Sequence, residues 1–142
     1  METLGSLVDK FSITKLRLNA MRDKNVEETK INLVNQQAEN LKTEIDSFLV
    51  HAINGEVQIE EPKFKFYKNE NASGEKHINL SSSIERLFEA YHTLWNLEDK
   101  RRDPSYSDKQ IREICDDVAK YNRIRNDMID EINANLSGMI RK

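Results

Sequence analysis

Apolar positions recur at helical spacing through most of the chain. Residues 31–52 carry them at alternating steps of three and four, which is a heptad seam. Similar stripes follow residues 84–95 and 111–136, and a broader apolar face over residues 4–21 is typical of a helix covered on two sides. We therefore predict four helices near residues 4–22, 26–53, 83–102 and 108–137.

Start and stop signals support these bounds. Gly55 follows the second apolar run and readily adopts the left-handed conformation that ends a helix. Pro104 ends the third helix, because the residue before a proline avoids the helical region. Capping boxes, in which two side chains near a helix start bond to each other's backbone, are predicted at three starts. They are Asn25 with Glu28, Ser82 with Glu85, and Ser107 with Gln110.

Residues 55–81 lack helical periodicity. Apolar residues alternate there with polar ones, which is the period of a strand. The alternating residues are Val57, Ile59, Phe64 and Phe66. The short connection between the last two helices makes them antiparallel neighbours. We predict a single all-α domain over residues 1–142, an antiparallel four-helix bundle with a long, partly extended excursion between its second and third helices.

Composition narrows the function classes. Only 4 Gly and 2 Pro occur in 142 residues, which disfavours a β-rich fold with many tight turns. The formal net charge of -3 argues against a general DNA- or RNA-binding protein, and no apolar run is long enough to cross a membrane. Cys115 is the single cysteine, which excludes an internal disulfide, and we expect it to be a small buried residue. These features fit a cytoplasmic protein with no nucleic-acid or membrane partner.

Three charged residues lie on otherwise apolar rows. Glu98 and Arg102 continue the apolar face of the third helix, one turn apart, where they can pair. Arg125 interrupts the apolar row of the fourth helix, with apolar residues on both sides of it. A buried guanidinium needs an anionic partner. An ion pair within the chain is the commoner solution, and a ligand contact is the alternative.

The expected hairpin register separates these charges. It places Glu98 opposite residue 112 and Arg125 opposite residue 85, so roughly 20 Å of helix lies between the two levels. Within one subunit they need not share a site and can form two polar layers. An oligomer is the arrangement that could bring one layer against the other.

Enzyme motifs are sparse. The chain has no glycine-rich phosphate loop and no G-x-S-x-G motif. Carboxylate di-metal bundles need two E-x-x-H motifs, and only Glu89 with His92 fits. Two acid pairs on the fourth helix loosely resemble half of the metal site of all-helical nucleotide pyrophosphohydrolases, but the E-x-x-E partner is missing. These are Glu113 with Asp116 and Asp127 with Asp130. We predict no catalytic residue, no metal site and no cofactor.

Residues 94–104 and 121–130 carry a pattern that resembles a bacterial domain-of-unknown-function family of small all-helical proteins. The family pattern runs roughly L-W-x-x-E-D-x-A-R and then N-x-x-R-N-D-x-I. Matching positions are Trp95, Glu98, Asp99, Arg102, Asn122, Arg125, Asn126 and Asp127. Arg101 departs from the family's usual alanine. The resemblance implies that these polar residues form one motif set, and an association with surface-polysaccharide genes, but no activity.

Three functions remain open. The first is non-enzymatic binding of a small anion, most plausibly a nucleotide, to sense or sequester a signal, which is compatible with a phage origin. Guanidinium groups suit phosphates, and aromatic faces suit bases. The predicted ligand-binding residues are Tyr91, His92, Trp95, Glu98, Asp99, Arg102, Asn122, Arg125 and Asn126. The second is a structural or partner-binding helical module, and the third is a metal-dependent nucleotide phosphohydrolase. The apolar surface of the first two helices also predicts a homo-oligomer, a dimer or higher.

Overall fold

Four helices make up the protein. The computed structural model describes residues 2–60 and 79–140, and within these ranges no strand is present. The helices are α1 (Leu4–Asp23), α2 (Glu28–Ile53), α3 (Leu80–Arg101) and α4 (Asp108–Ile140). The prediction of an all-α fold with four helices is confirmed.

Capping hydrogen bonds explain where most helices begin and end. At the start of α1, the Thr3 amide donates to the Ser6 hydroxyl at 2.8 Å and the Ser6 amide donates to the Thr3 hydroxyl at 3.1 Å. The predicted box at the start of α4 is present, with the Ser107 amide 2.8 Å from the Gln110 side-chain oxygen. Gly55 ends α2 with a φ of 73°, as predicted. These bonds satisfy backbone groups that a helix leaves unpaired at its ends.

The predicted cap at Asn25 is wrong, because this residue ends α1 instead of opening α2. Asn25 has a φ of 52°, in the left-handed region. Its amide donates to the Arg22 carbonyl, and the Val26 amide donates to the Met21 carbonyl. This is the Schellman pattern of a helix C-terminus, for which asparagine is the usual substitute for glycine. Glu27 then precedes α2 without a side-chain cap.

The predicted cap at Ser82 is also wrong. The Asn79 side-chain oxygen accepts the Ser82 amide hydrogen bond at 2.9 Å, so α3 begins at Leu80, three residues before the predicted start. Asparagine and serine cap helices about equally well. Asn79 and Ser82 can both cap a helix, and the chain uses Asn79.

The apolar core has two parts, which involve different sets of helices. The larger cluster joins α1, from Leu4 to Leu16, to the end of α2, to α3 and to the second half of α4. It contains Leu4, Leu7, Val8, Leu16, Phe48, Ala52, Ile59, Leu87, Tyr91, Met128, Ile129, Ile132 and Leu136. The smaller cluster, of Leu18, Ile31 and Ala38, joins α1 to α2 alone. The predicted seam of α2 thus packs mainly on α1, while α3 packs most extensively on α4.

Gly5 lets α1 and α4 touch backbone to backbone. Its amide donates to the Asn133 side-chain oxygen at 2.7 Å, which satisfies an otherwise unpaired amide in the first turn of α1. A Cβ atom at Gly5 would clash with the Ile129 carbonyl oxygen and lie 2.9 Å from the Ile129 Cγ2 atom. Glycine is therefore required here by close approach.

Two predicted burials are wrong, and most of the excursion lies outside the described residues. Phe88 is 42% exposed although it lies in the apolar stripe of α3, and Cys115 is exposed on α4.

Of the predicted excursion at 55–81, the structure describes only the ends, where Ile59 is buried in the larger cluster. None of the helices in the described ranges combines the length and apolarity needed to cross a membrane.

The Gly5 contact predicts a large difference between two glycine substitutions. Gly5→Ala should lower the free energy of unfolding by about 1–3 kcal/mol, because the methyl group has no space. Gly138→Ala in α4, where nothing lies within 4 Å, should raise it by about 0.5–1 kcal/mol, because alanine favours the helix. Urea unfolding followed by circular dichroism measures both, and equal effects would contradict the close approach.

Candidate functional site

An ion pair between α1 and α4 forms one end of the candidate site. The Arg125 Nε atom donates to Asp9 Oδ1 at 3.0 Å, and its Nη2 atom donates to Asp9 Oδ2 at 3.4 Å. This two-point geometry is the strong form of the arginine–carboxylate interaction. The Nη1 atom donates to the Asn122 side-chain oxygen at 3.3 Å. Arg125 therefore has a carboxylate partner within its own chain.

Tyr91 of α3 completes the surroundings of this arginine. The Arg125 guanidinium carbon lies 5.0 Å from the centre of the Tyr91 ring, within range of a cation–π interaction. The Tyr91 hydroxyl is buried and has no hydrogen-bond partner among the residues described. Burial raises the pKa of Tyr91 far above its usual value, and the neighbouring Asp9 carboxylate raises it further. Arg125 thus connects α1, α3 and α4.

A cleft of about 330 Å³, the first cleft, extends from Arg125 between α1, α3 and α4. Its lining residues are Ile13, Lys24, Tyr91, Leu94, Trp95, Glu98, Asp99, Arg102, Asn122 and Arg125. Glu98 and Arg125, which the hairpin register placed at separate levels, line this one cleft of a single chain. The register describes backbone positions, whereas the cleft runs along the helices and Arg125 is long enough to reach Tyr91.

A second cleft, of about 520 Å³, lies between α1 and α3. Its lining residues are Leu16, Asn19, Ala20, Asp23, Lys24, Phe88, His92, Trp95, Asn96 and Asp99. Lys24, Trp95 and Asp99 line both clefts. Leu18 in the second half of α1 packs on α2, and α1 as a whole packs less extensively on α3 than on α2 or α4.

The charges of the first cleft differ in their partners. Glu98 pairs with Arg101 at 2.7 Å, so the predicted pairing of Glu98 with Arg102 is wrong. Within the described ranges, neither Lys24 nor Arg102 has an ion-pair partner. Two cations without a carboxylate partner among the described residues therefore line the cleft, together with Arg125.

Seven of the nine predicted ligand-binding residues line the first cleft, and the other two do not. His92 lines the second cleft, and Asn126 is exposed and lines neither. The seven residues are Tyr91, Trp95, Glu98, Asp99, Arg102, Asn122 and Arg125.

Sequence reasoning missed Asp9 and Lys24. The signal for Asp9 is the row that it forms with Gly5 and Ser12, a small and polar line on an otherwise apolar helix that faces α4. Lys24 carries no local signal, since it is one of many surface lysines. No three His, Cys, Asp or Glu side chains of residues 2–60 and 79–140 form a group that could hold a metal ion.

Comparison with known proteins finds no family model, curated protein or solved structure that matches this chain. The resemblance to the domain-of-unknown-function family and the expected homo-oligomer both stay predictions. The site must therefore be interpreted from its own geometry.

The ion pair predicts an asymmetry between its two partners. The Asp9 side chain is 12% exposed and that of Arg125 is 32% exposed. Arg125→Leu strands the more buried charge and should lower the free energy of unfolding by about 2 kcal/mol, less than for a fully buried pair because water reaches the arginine. Asp9→Ala should lower it by about 1 kcal/mol, since Arg125 can turn toward water. Urea denaturation measures both variants.

A surface ion pair on α3 provides the matched control. Arg101→Leu removes the exposed partner of Glu98 and should change the free energy of unfolding by less than about 1 kcal/mol. A larger loss for Asp9→Ala than for Arg125→Leu would show that burial does not govern the Asp9–Arg125 pair.

Proposed function

We propose that this protein is a non-enzymatic binding protein that takes a nucleotide, or another small phosphate-bearing anion, into the first cleft. The observation that carries the proposal is that Trp95 lines the same cleft as Lys24 and Arg102, two cations with no ion-pair partner among the described residues. Its volume of about 330 Å³ lies within the usual range of small-molecule sites.

The phosphate group is assigned to Lys24 and Arg102. Both side chains are exposed and free of carboxylate partners in the described part of the chain, so an arriving anion displaces only water. The Arg102 guanidinium offers a planar pair of donors that matches two phosphate oxygens, while Lys24 supplies a compact charge.

Arg125 and Asn122 contribute further donors to the same cleft. A guanidinium carries five N–H donors, and three of those on Arg125 are used in its bonds to Asp9 and Asn122. Two donors remain on a side chain that is partly exposed. The Asn122 amide group likewise keeps its two N–H donors, because only its oxygen is engaged.

Trp95 supplies an aromatic face for the ring of the ligand. It is half-buried and lines both clefts, so the indole is held by packing while part of it stays accessible. Base stacking on an aromatic side chain stabilises nucleotide complexes by about 1–3 kcal/mol and tolerates different bases.

The arrangement that goes with this proposal is an antiparallel bundle with the cleft between α1, α3 and α4. Gly5 meets Asn133 and Asp9 meets Arg125, so α1 and α4 run in opposite directions. Only six residues, 102–107, separate α3 from α4. A cleft between helices suits a protein that senses or sequesters a small signal molecule.

A structural or partner-binding module is the second candidate. It is favoured by the Asp9–Arg125 pair, which neutralises the interrupting arginine without any ligand. In that case the polar residues would set the register of the helices, as buried ion pairs do in some proteins.

Binding measurements separate the two candidates. Isothermal titration calorimetry with the four ribonucleoside monophosphates and with inorganic phosphate should detect binding of at least one nucleotide. Lys24→Gln and Arg102→Gln should each weaken it about tenfold, the usual effect of losing a charge-assisted hydrogen bond. Arg102→Lys should restore it only in part, because an ammonium group lacks the planar fork.

Matched controls are available among exposed cations elsewhere in the protein. Lys30→Gln and Arg112→Gln remove exposed cations that line neither cleft, and should leave affinity unchanged. Equal losses in all four glutamine variants would indicate general electrostatic attraction only. No binding by the folded wild-type protein would place the structural module in front.

A further inference from the structure

Three aromatic side chains face the second cleft from α3. Phe88, His92 and Trp95 follow one another at intervals of four and three residues, so they share one face of the helix. Phe88 is 42% exposed, although the helix could have placed it in the core. Three adjacent rings beside an open cleft form a surface that suits a flat aromatic group.

The α1 side of the second cleft has apolar residues that are buried or half-buried and a polar residue that is exposed. Leu16 is buried and Ala20 half-buried, whereas Asn19 is exposed. Asn96 lies across the cleft on α3. Neither Asn19 nor Asn96 has a side-chain hydrogen bond among the residues that the structure describes, so each amide can offer both a donor and an acceptor to a ligand.

The two clefts differ in the charged residues that line them. Lys24 and Arg102 line the first cleft, where Asp99 is the one carboxylate that has no ion-pair partner in the described part of the chain. Among the described residues that line the second cleft, Asp23 joins Asp99, and Lys24 is the single Lys or Arg. A phosphate is therefore favoured in the first cleft and disfavoured in the second, because like charges repel there.

We propose that the second cleft is the base subsite of the nucleotide site. The ring system stacks against Phe88 and Trp95, and the amides of Asn19 and Asn96 select among bases by hydrogen bonding to their edges. Lys24 and Trp95, which line both clefts, are the junction across which the ligand passes from phosphate to base. This inference rests on the proposed function and adds the part of the ligand that determines specificity.

Calorimetry with the four ribonucleoside monophosphates and with ribose 5-phosphate tests the subsite. At least one nucleotide should bind about tenfold or more tightly than ribose 5-phosphate, which has no base. Phe88→Ala should weaken that nucleotide about tenfold and leave ribose 5-phosphate unchanged. Asn96→Ala should alter the order of preference among the four bases.

The control is Leu33→Ala, which removes an apolar side chain that is 67% exposed on α2 and lines neither cleft. It should leave every affinity unchanged. Thermal melting verifies that each variant is folded. If Phe88→Ala fails to fold, the Asn96→Ala ranking decides the matter, because Asn96 is exposed.

Two outcomes would overturn the inference, and they are distinguishable. If ribose 5-phosphate binds as tightly as every nucleotide, or if Phe88→Ala weakens both kinds of probe equally, the base subsite is wrong and the phosphate site stands. If none of the five probes binds the folded wild-type protein, the proposed function fails, and the base subsite fails with it.

Discussion

The ion pair between Asp9 and Arg125 is the constraint on which the arrangement of the helices depends. A carboxylate that is mostly buried between two helices is destabilising when it has no partner, so the placement of α1 that brings Asp9 to Arg125 is favoured. Gly5, one turn earlier, allows the close backbone contact that Asn133 seals with a hydrogen bond. Together these contacts fix both the position and the rotation of α1 on α4.

That placement also determines where space remains. The beginning of α1 packs on α4, part of its second half packs on α2, and α1 packs less extensively on α3 than on either of them. The two clefts lie where α1 and α3 fail to close on each other, with Trp95 between them. The candidate site thus results from the way α1 packs on its three neighbouring helices.

The helices could be predicted from the sequence because their signals are local, whereas the site depends on contacts between distant residues. Apolar periodicity and the Ser107 cap are visible within a few residues, and the structure has both. Asn25 failed as a predicted cap because its preference for turns serves a helix end as well as a helix start. Arg125 could be recognised as an anomaly, but its partner Asp9 lies 116 positions away, and no rule of spacing connects them.

The place of Trp95 has a practical consequence. It is the single tryptophan of the chain and lines both clefts. The tryptophan fluorescence of the unmodified protein therefore originates from the point where the two clefts meet. A molecule that binds beside the indole in either cleft changes the polarity around it. The emission spectrum of Trp95 therefore reports whether a cleft is occupied.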